Sequence, residues 1–437
     1  MVKKVLWIVL ILVPGIFGQA TFHGNLAHTG VYESPGPKQL KGIKWAFKTD
    51  GPVLSSPTIS DGVVFLGSSD GNAYAVDEET GKQKWSYSTG LPISSSLAVA
   101  GGLVYFTSYA GNLYAVDAVT GKVAWTFTTE QERKFQAKGL DGYAGISSNS
   151  QVIPDAWDFF TSSPGVANGH VYFGSGDGNV YCLDAHTGAL VWKFTTGDVV
   201  HASPAIANNT VYIGSWDSYF YAIDADTGQE KWRYKAGEDP VFHNQVGFQS
   251  SATVVDGVVY VGCRDGHVYA FDAATGRKKW DYSTSQSWVN TTPAVRDGVV
   301  YAGSCDGGRF HALDAKSGRL RFAVEAKACL DSSPALAGDL AYIGNFSGRL
   351  YAIDIKSGKV AWEFQTAASK EDRLKVLDPD GSYHGKTYPN TQVFHDFEDM
   401  YLSMSLTFST GAIISSPAID KGVVYVGSTD GSLYALE

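Results

Sequence analysis

One short pattern is written eight times along this chain. Its first full copy runs from Ser55-Ser56-Pro57 through Val63-Val64-Phe65-Leu66-Gly67-Ser68, Asp70-Gly71 and Ala73-Tyr74-Ala75-Val76-Asp77 to Thr80-Gly81 and Trp85. Aligned on the Asp before the second turn, the copies fall at Asp77, Asp117, Asp184, Asp224, Asp272, Asp314 and Asp354, and the last ends at Tyr434-Ala435-Leu436-Glu437. Most intervals are 40 to 48 residues, a period that belongs to propeller blades and other stacked arrays. Each copy divides into four short strands. Asp-Gly marks a tight hairpin because its residues tolerate positive φ, and Thr-Gly turns the chain again before the strand that carries Trp. Four antiparallel strands per unit make a propeller blade. Helical periodicity is absent throughout, and the 13% aromatic content and 49 glycines suit an all-β fold.

Two positions in the unit have physical jobs. Ser56 is matched by Ser96, Ser163, Ser203, Ser251, Thr292, Ser333 and Ser416, and innermost strands crowding the axis admit only small side chains. Trp85, Trp125, Trp192, Trp232, Trp280 and Trp362 offer flat surfaces for packing between blades, with Phe322 standing in the sixth copy. The last copy has no fourth strand. Gly42-Ile43-Lys44-Trp45-Ala46-Phe47-Lys48-Thr49 matches the fourth-strand sequence Gly121 to Thr128. The expected fold is therefore an eight-bladed β-propeller over residues 42–437, its N-terminal strand completing the C-terminal blade.

The first twenty residues read as a secretory signal peptide: Lys3 and Lys4, an apolar run from Val5 to Leu12, and Gly18-Gln19-Ala20 at the cleavage site. The run is short for a membrane span. The expectation is export to the periplasm or the medium, with residues 21–41 as an N-terminal extension and no membrane span after leader cleavage. The formal charge of −10 becomes −12 without Lys3 and Lys4. An acidic surface repels phosphate backbones, which argues against nucleic acid as a partner. Cys182, Cys263, Cys305 and Cys329 match no zinc spacing, and an exported chain permits disulfides. Cys305 and Cys329 fall where neighbouring blades could be bridged, and Cys182 occupies a small core position.

The run Gly-x-Val-Tyr-Val-Gly-Ser-x-Asp-Gly-x-Leu-Tyr-Ala-Leu-Asp-x-x-Thr-Gly-x-x-x-Trp resembles the pyrroloquinoline-quinone repeat, with Gly257 to Trp280 and Gly422 to Leu436 as clear copies. The resemblance covers about residues 42–437. It implies the fold and leaves function open, because the family holds both quinoprotein dehydrogenases, which bind the quinone with Ca²⁺, and the non-enzymatic propeller subunit of the outer-membrane β-barrel assembly machinery. The dehydrogenase pattern includes an adjacent-cysteine disulfide, greater length and, in some members, Cys-x-x-Cys-His; none of these is present. Asp155-Ala156-Trp157-Asp158 resembles the Trp-Asp segment near the quinone pocket. Against the assembly subunit, a lipidated Cys is missing and two insertions are extra.

Those insertions, at about 129–160 and 366–412, and a milder extension near 236–249 all join a fourth strand to the next first strand, so they are expected on one face of the disc. Two residues before the Ser ring, strand parity turns Leu54, Ser94, Thr161, His201, Gln249, Asn290, Asp331 and Ile414 toward the axis. Thr161 to Asp331 form a polar crescent that suits a small ligand, or equally a wet funnel. Asn290 and Asp331 are candidate oxygen donors to Ca²⁺ and His201 a candidate base or hydrogen-bond donor. Trp157, Asp158, Trp288 and His243 are expected near the same mouth, with Trp157 and Trp288 open to burial under the insertions. In the second insertion Asp378, Asp380, His384, His395, Asp396, Glu398 and Asp399 match no strict metal motif, and Phe394, Phe397, Tyr401, Leu402 and Met404 suggest an ordered lid or a partner surface.

The functional expectation is a monomeric, exported, non-enzymatic scaffold that binds a protein or another ligand through the insertion face. The alternative is a pyrroloquinoline quinone- and Ca²⁺-dependent alcohol or sugar dehydrogenase, or a degenerate relative that holds a small ligand at the funnel. A third reading is a small-ligand or carbohydrate sensor that uses the aromatic loop residues. No Gly-x-Ser-x-Gly hydrolase elbow occurs.

Overall fold

In the computed structural model the described residues are 19–138, 152–237, 247–285, 287–305, 307–385 and 397–437. Eight antiparallel sheets surround one axis. Blade one comprises Thr58–Ser60, Val63–Gly67, Asn72–Asp77 and Gln83–Ser88, and blades two to seven repeat that order. Blade eight takes Ala418–Asp420, Val423–Gly427 and Ser432–Leu436 from the C-terminus and Ile43–Lys48 from the N-terminus. Trp45 pairs with Ala435 and Phe47 with Leu433, and the register shifts between Ile43 and Trp45 as it does between Val123 and Trp125 in blade two. The borrowed strand thus copies even the bulge of a covalent blade.

Interblade contacts explain the repeat letter by letter. The Trp85 indole donates to Ala118 O at 2.9 Å, and the same bond recurs from Trp192 to Ala225 and from Trp232 to Ala273. Trp45, Trp85, Trp125, Trp192 and Trp232 also lie under the Thr-Gly turn of the next blade, and Trp280 lies under Ser317-Gly318. A Cβ on Gly121 would sit 2.8 Å from the Trp85 ring, at a φ of +68°, so both close approach and left-handed backbone require glycine there. Phe322 keeps this contact beneath Gly358 without an indole to donate.

The Ser ring is more than small. The N–H of Ser56 donates to Ser96 Oγ at 3.0 Å, that of Ser96 to Ser163 at 2.9 Å and that of Ser163 to Ser203 at 3.0 Å. Ser416 closes the circle onto Ser56 Oγ at 2.9 Å. These hydroxyls stitch neighbouring inner strands through buried backbone donors that would otherwise be orphaned.

Two features depart from the sequence reading. Helix is present in the second insertion, as Ala367–Glu371 and Phe397–Ser409; Ser403, Leu406 and Thr407 are buried while Tyr401 and Leu402 face out. The extension before blade one is also structured. Ala20 bridges Val99, and Leu26, Ala27, Thr29 and Gly30 accept backbone bonds from Ile206, Val254, Val295 and Leu336. Val31–Tyr32 then pairs in parallel with Ala335–Ala337. The arm winds past the inner strands and closes the axis on the face away from the insertions. His23 and His28 anchor it: the two His23 ring nitrogens lie 2.7 Å from His28 O and 2.8 Å from Pro334 O, and His28 Nδ1 lies 3.2 Å from Ala252 O. Burial lowers both imidazole pKa values. Residues 1–18 lie outside the described residues, and no helix among the described residues is long and apolar enough to cross a membrane.

Candidate functional site

The axis encloses a narrow cavity of about 50 Å³, lined by the Ser ring and by Thr161, His201, Gln249, Asn290 and Asp331, with Phe160 at one end and Phe22 at the other. The crescent therefore does face the axis, with Phe160 of the first insertion beside it. The first insertion folds back over it.

Two buried charge clusters hold that insertion down. His201 Nδ1 lies 2.7 Å from Asp158 Oδ1 and its Nε2 2.7 Å from Glu132 Oε1. Asp158 Oδ2 accepts from the Phe135 N–H at 2.7 Å, and Glu132 Oε2 accepts from the Gly176 N–H at 3.0 Å. Burial alone would lower the His201 pKa. The Asp158 and Glu132 carboxylates outweigh it and raise the pKa to about 10. His201 is thus an imidazolium at neutral pH, with both nitrogens donating and no lone pair for the base role considered from sequence.

Arg264 forms the second cluster. Its side chain is fully buried and donates to Asp155 Oδ2 at 2.7 Å and twice to Gln249 Oε1, at 3.0 and 2.7 Å. The guanidinium lies 4.1 Å from the Trp216 ring centroid and 4.6 Å from that of Trp288, a cation held between two indole faces. Trp216 stacks in turn on Phe135 at 4.4 Å. Gln249 Nε2 donates to Trp157 O at 3.2 Å, and Trp157 stacks on Phe346 at 5.8 Å. Thr161 is occupied too, its N–H donating to Ser94 Oγ and its hydroxyl accepting from Thr107.

Asn290 and Asp331 line the cavity, but no group of three or more His, Cys, Asp or Glu suited to a metal occurs among the described residues. His243 and the second-insertion residues Phe394, His395 and Asp396 lie outside the described residues. Cys305 and Cys329 form a disulfide; Cys182 and Cys263 are buried free thiols, and burial raises the pKa of both.

The decisive partners that sequence reading missed are Glu132, Arg264 and Trp216. One signal would have found two of them. The residue before each hairpin Asp, or before Ala110 and Ser347 in blades two and seven, reads Ser69, Tyr109, Gly176, Trp216, Arg264, Cys305, Phe346 and Thr429. Trp216, Arg264 and Phe346 each hold a first-insertion side chain. Gly176 admits Arg133, whose carbonyl oxygen would lie 2.3 Å from any Cβ there. Thr429 donates to Phe408 O of the second insertion at 2.8 Å. The hairpin tips are the seat of the insertions. The two insertions also meet each other, Tyr401 donating to Pro154 O at 3.1 Å and Phe159 packing edge-on against Phe408 at 5.9 Å.

The His201 cluster makes a pH prediction. Its folded pKa lies above the unfolded value near 6.5, so its stabilisation is complete below pH 6.5 and is lost as pH rises toward 10. Denaturant unfolding from pH 7 to 9.5 should show wild-type stability falling by up to about 1.4 kcal/mol per pH unit relative to H201Q. Parallel curves for the two proteins would refute the charged imidazolium.

The family model for outer membrane protein assembly factor BamB matches residues 39–138, 145–287 and 243–382. The chain belongs to this family of pyrroloquinoline-quinone-repeat propellers. Among solved structures, BamB from Moraxella catarrhalis is similar at a TM-score of 0.60 and 17% identity, over 91% of this chain and 97% of that one. Quinohemoprotein alcohol dehydrogenase from Comamonas testosteroni is similar at a TM-score of 0.67 and 16% identity, over 95% of this chain and 80% of the enzyme. At such identities the likeness is one of fold. The curated quinohemoprotein alcohol dehydrogenase ADH IIB of Pseudomonas putida is 36% identical over 89 residues, which are 18% of this chain and only 13% of that enzyme.

Proposed function

We propose that this chain is an exported, monomeric, non-enzymatic scaffold that binds protein through the face built by its two insertions, in the manner of an outer-membrane assembly factor. The observation that carries this reading is the commitment of the funnel. His201, Gln249 and Thr161 are bonded to the insertion or to neighbouring blades, and the remaining cavity is about 50 Å³, room for a few ordered waters. Small-molecule sites usually run from about 300 Å³ upward. A pyrroloquinoline quinone with its Ca²⁺ does not fit these residues as they stand, so the dehydrogenase alternative would need the Asp155–Phe160 segment to leave. The outward face of Phe397–Ser409, with Tyr401 and Leu402 exposed, supplies apolar contact area of the kind a protein partner covers.

Two measurements test this. Titration with quinone and Ca²⁺, followed by quinone absorbance, should show no saturable binding at micromolar quinone; saturation would overturn the reading. In the native host, loss of the gene should lower the yield of folded outer-membrane β-barrels, and the double variant Y401E/L402E should fail to restore it. Full restoration would remove the insertion face as the binding surface.

A further inference from the structure

Among the described residues no strand pairs with the outer edge of any blade, and an open edge invites pairing unless charges guard it. Seven of the eight edges are guarded. Blade one carries Lys84, blade three Lys193, blade four Lys231 and Arg233, blade five Lys278 and Asp281, blade six Arg321, blade seven Lys359 and Glu363, and blade eight Lys44 and Lys48. Blade two is the exception: Val123-Ala124-Trp125-Thr126-Phe127-Thr128 holds no charged residue.

The same sector is apolar at its surface. Val119 and Val123 are 62% and 50% exposed, and on blade three Leu190 and Val191 are 51% and 45% exposed. The Thr187-Gly188 turn of blade three rests against the Trp125 ring. Thr129 N–H is bonded inward to Gly111 O. Antiparallel alternation then turns the main-chain groups of Thr126 and Thr128 outward, toward the open side of the sheet.

We propose that the blade-two edge, Val123–Thr128, is a strand-addition site that takes an extended, uncharged segment of another polypeptide. Main-chain hydrogen bonds supply the affinity in such a mode, and alternate side chains supply the selectivity. A charged residue laid against Trp125 or Phe127 would lose water with no counter-charge on the strand, so the occupant alternates β-branched or aromatic residues with hydroxylated ones. The strand leads into the first insertion at Thr129, but its open edge is a separate surface and the proposal does not depend on that reading.

The test uses the full chain and a fluorescent, end-blocked hexapeptide of alternating threonine and valine. Anisotropy should show saturable binding that does not weaken from low to high salt. T126K should weaken it at least about tenfold, while S86K, at the same position of blade one, should not. Both substitutions are compatible with folding, since Lys193 and Arg233 already stand at that position in blades three and four. K193T should add a second class of sites. Equal binding by T126K and wild type would overturn the proposal. So would self-association of the wild type that T126K abolishes, because the occupant would then be a second copy.

Discussion

Deleting residues 42–49 is expected to abolish cooperative folding of the whole propeller, not merely to loosen one end. The strand Ile43–Lys48 is the outer strand of blade eight and the only one of its sheet not contributed by the C-terminus. Its side chains Trp45 and Phe47 pack on the cluster that contains Val64, Leu66, Tyr74, Tyr425 and Leu433, so they join blade eight to blade one. The Trp45 indole donates to Glu78 O at 3.0 Å, and the Thr80-Gly81 turn lies on its ring. Burial of a large side chain is worth about 1.5–3 kcal/mol. Two half-buried aromatics and the strand's hydrogen bonds together reach about 5 kcal/mol, against a typical net stability of about 5–15 kcal/mol. Loss of that amount leaves an open ring with the edge of Ser432–Leu436 exposed. Thermal unfolding with light scattering should show early aggregation. The single variant W45A should be destabilised but soluble, which separates lost packing from lost closure. An unchanged melting profile for the deletion would sink the closure model.

The fold was legible because repetition made every structural demand visible eight times over. A glycine packed on the outer-strand aromatic of seven blades and a small residue at each axis position stand out once the copies are aligned. The hydroxyl bonds of the Ser ring are less legible, since crowding alone accounts for small residues there, and it takes the ring of bonds from Ser56 to Ser96 round to Ser416 on Ser56 to show that the oxygen matters. The site was legible only in half. Parity placed Thr161, His201, Gln249, Asn290 and Asp331 on the axis correctly, because strand alternation is local. Whether they faced solvent depended on where a non-repeating loop travels, and no periodicity encodes that. Asp155 and Asp158 stand out for their likeness to a quinone-site segment, yet their partners sit at the hairpin tip of blade five (Arg264), at the start of blade four (His201) and on the insertion itself (Phe135). The helix Phe397–Ser409 escaped for a related reason: it occurs once, between strands whose pattern dominates the chain. Likewise the arm through Phe22, His23 and His28 belongs to no repeat, and its bonds go mainly to backbone carbonyls and amides, which sequence does not distinguish.

Replacing Arg264 by methionine should be the most damaging point substitution in the insertion face. The guanidinium is wholly buried and is the cation bonded to the fully buried Asp155 carboxylate. A buried ion pair adds little net stability, because desolvation offsets attraction, but removing one partner strands the other and costs about 3–5 kcal/mol. R264M also leaves Gln249 Oε1 without its two donors and opens the space between Trp216 and Trp288. The prediction therefore has two parts. R264M should lose about 3–5 kcal/mol in denaturant unfolding, with a changed tryptophan emission and early proteolytic cleavage in the first insertion as Asp155–Phe160 lifts from the axis. The double variant D155N/R264M should recover most of that loss, since no uncompensated charge remains. Recovery distinguishes a latch from mere packing: a purely steric role for Arg264 would leave the double variant as weak as the single one. If the latch is real, R264M is also the variant in which the axial cavity opens, so any small-molecule binding that it gains and wild type lacks would report what the insertion excludes.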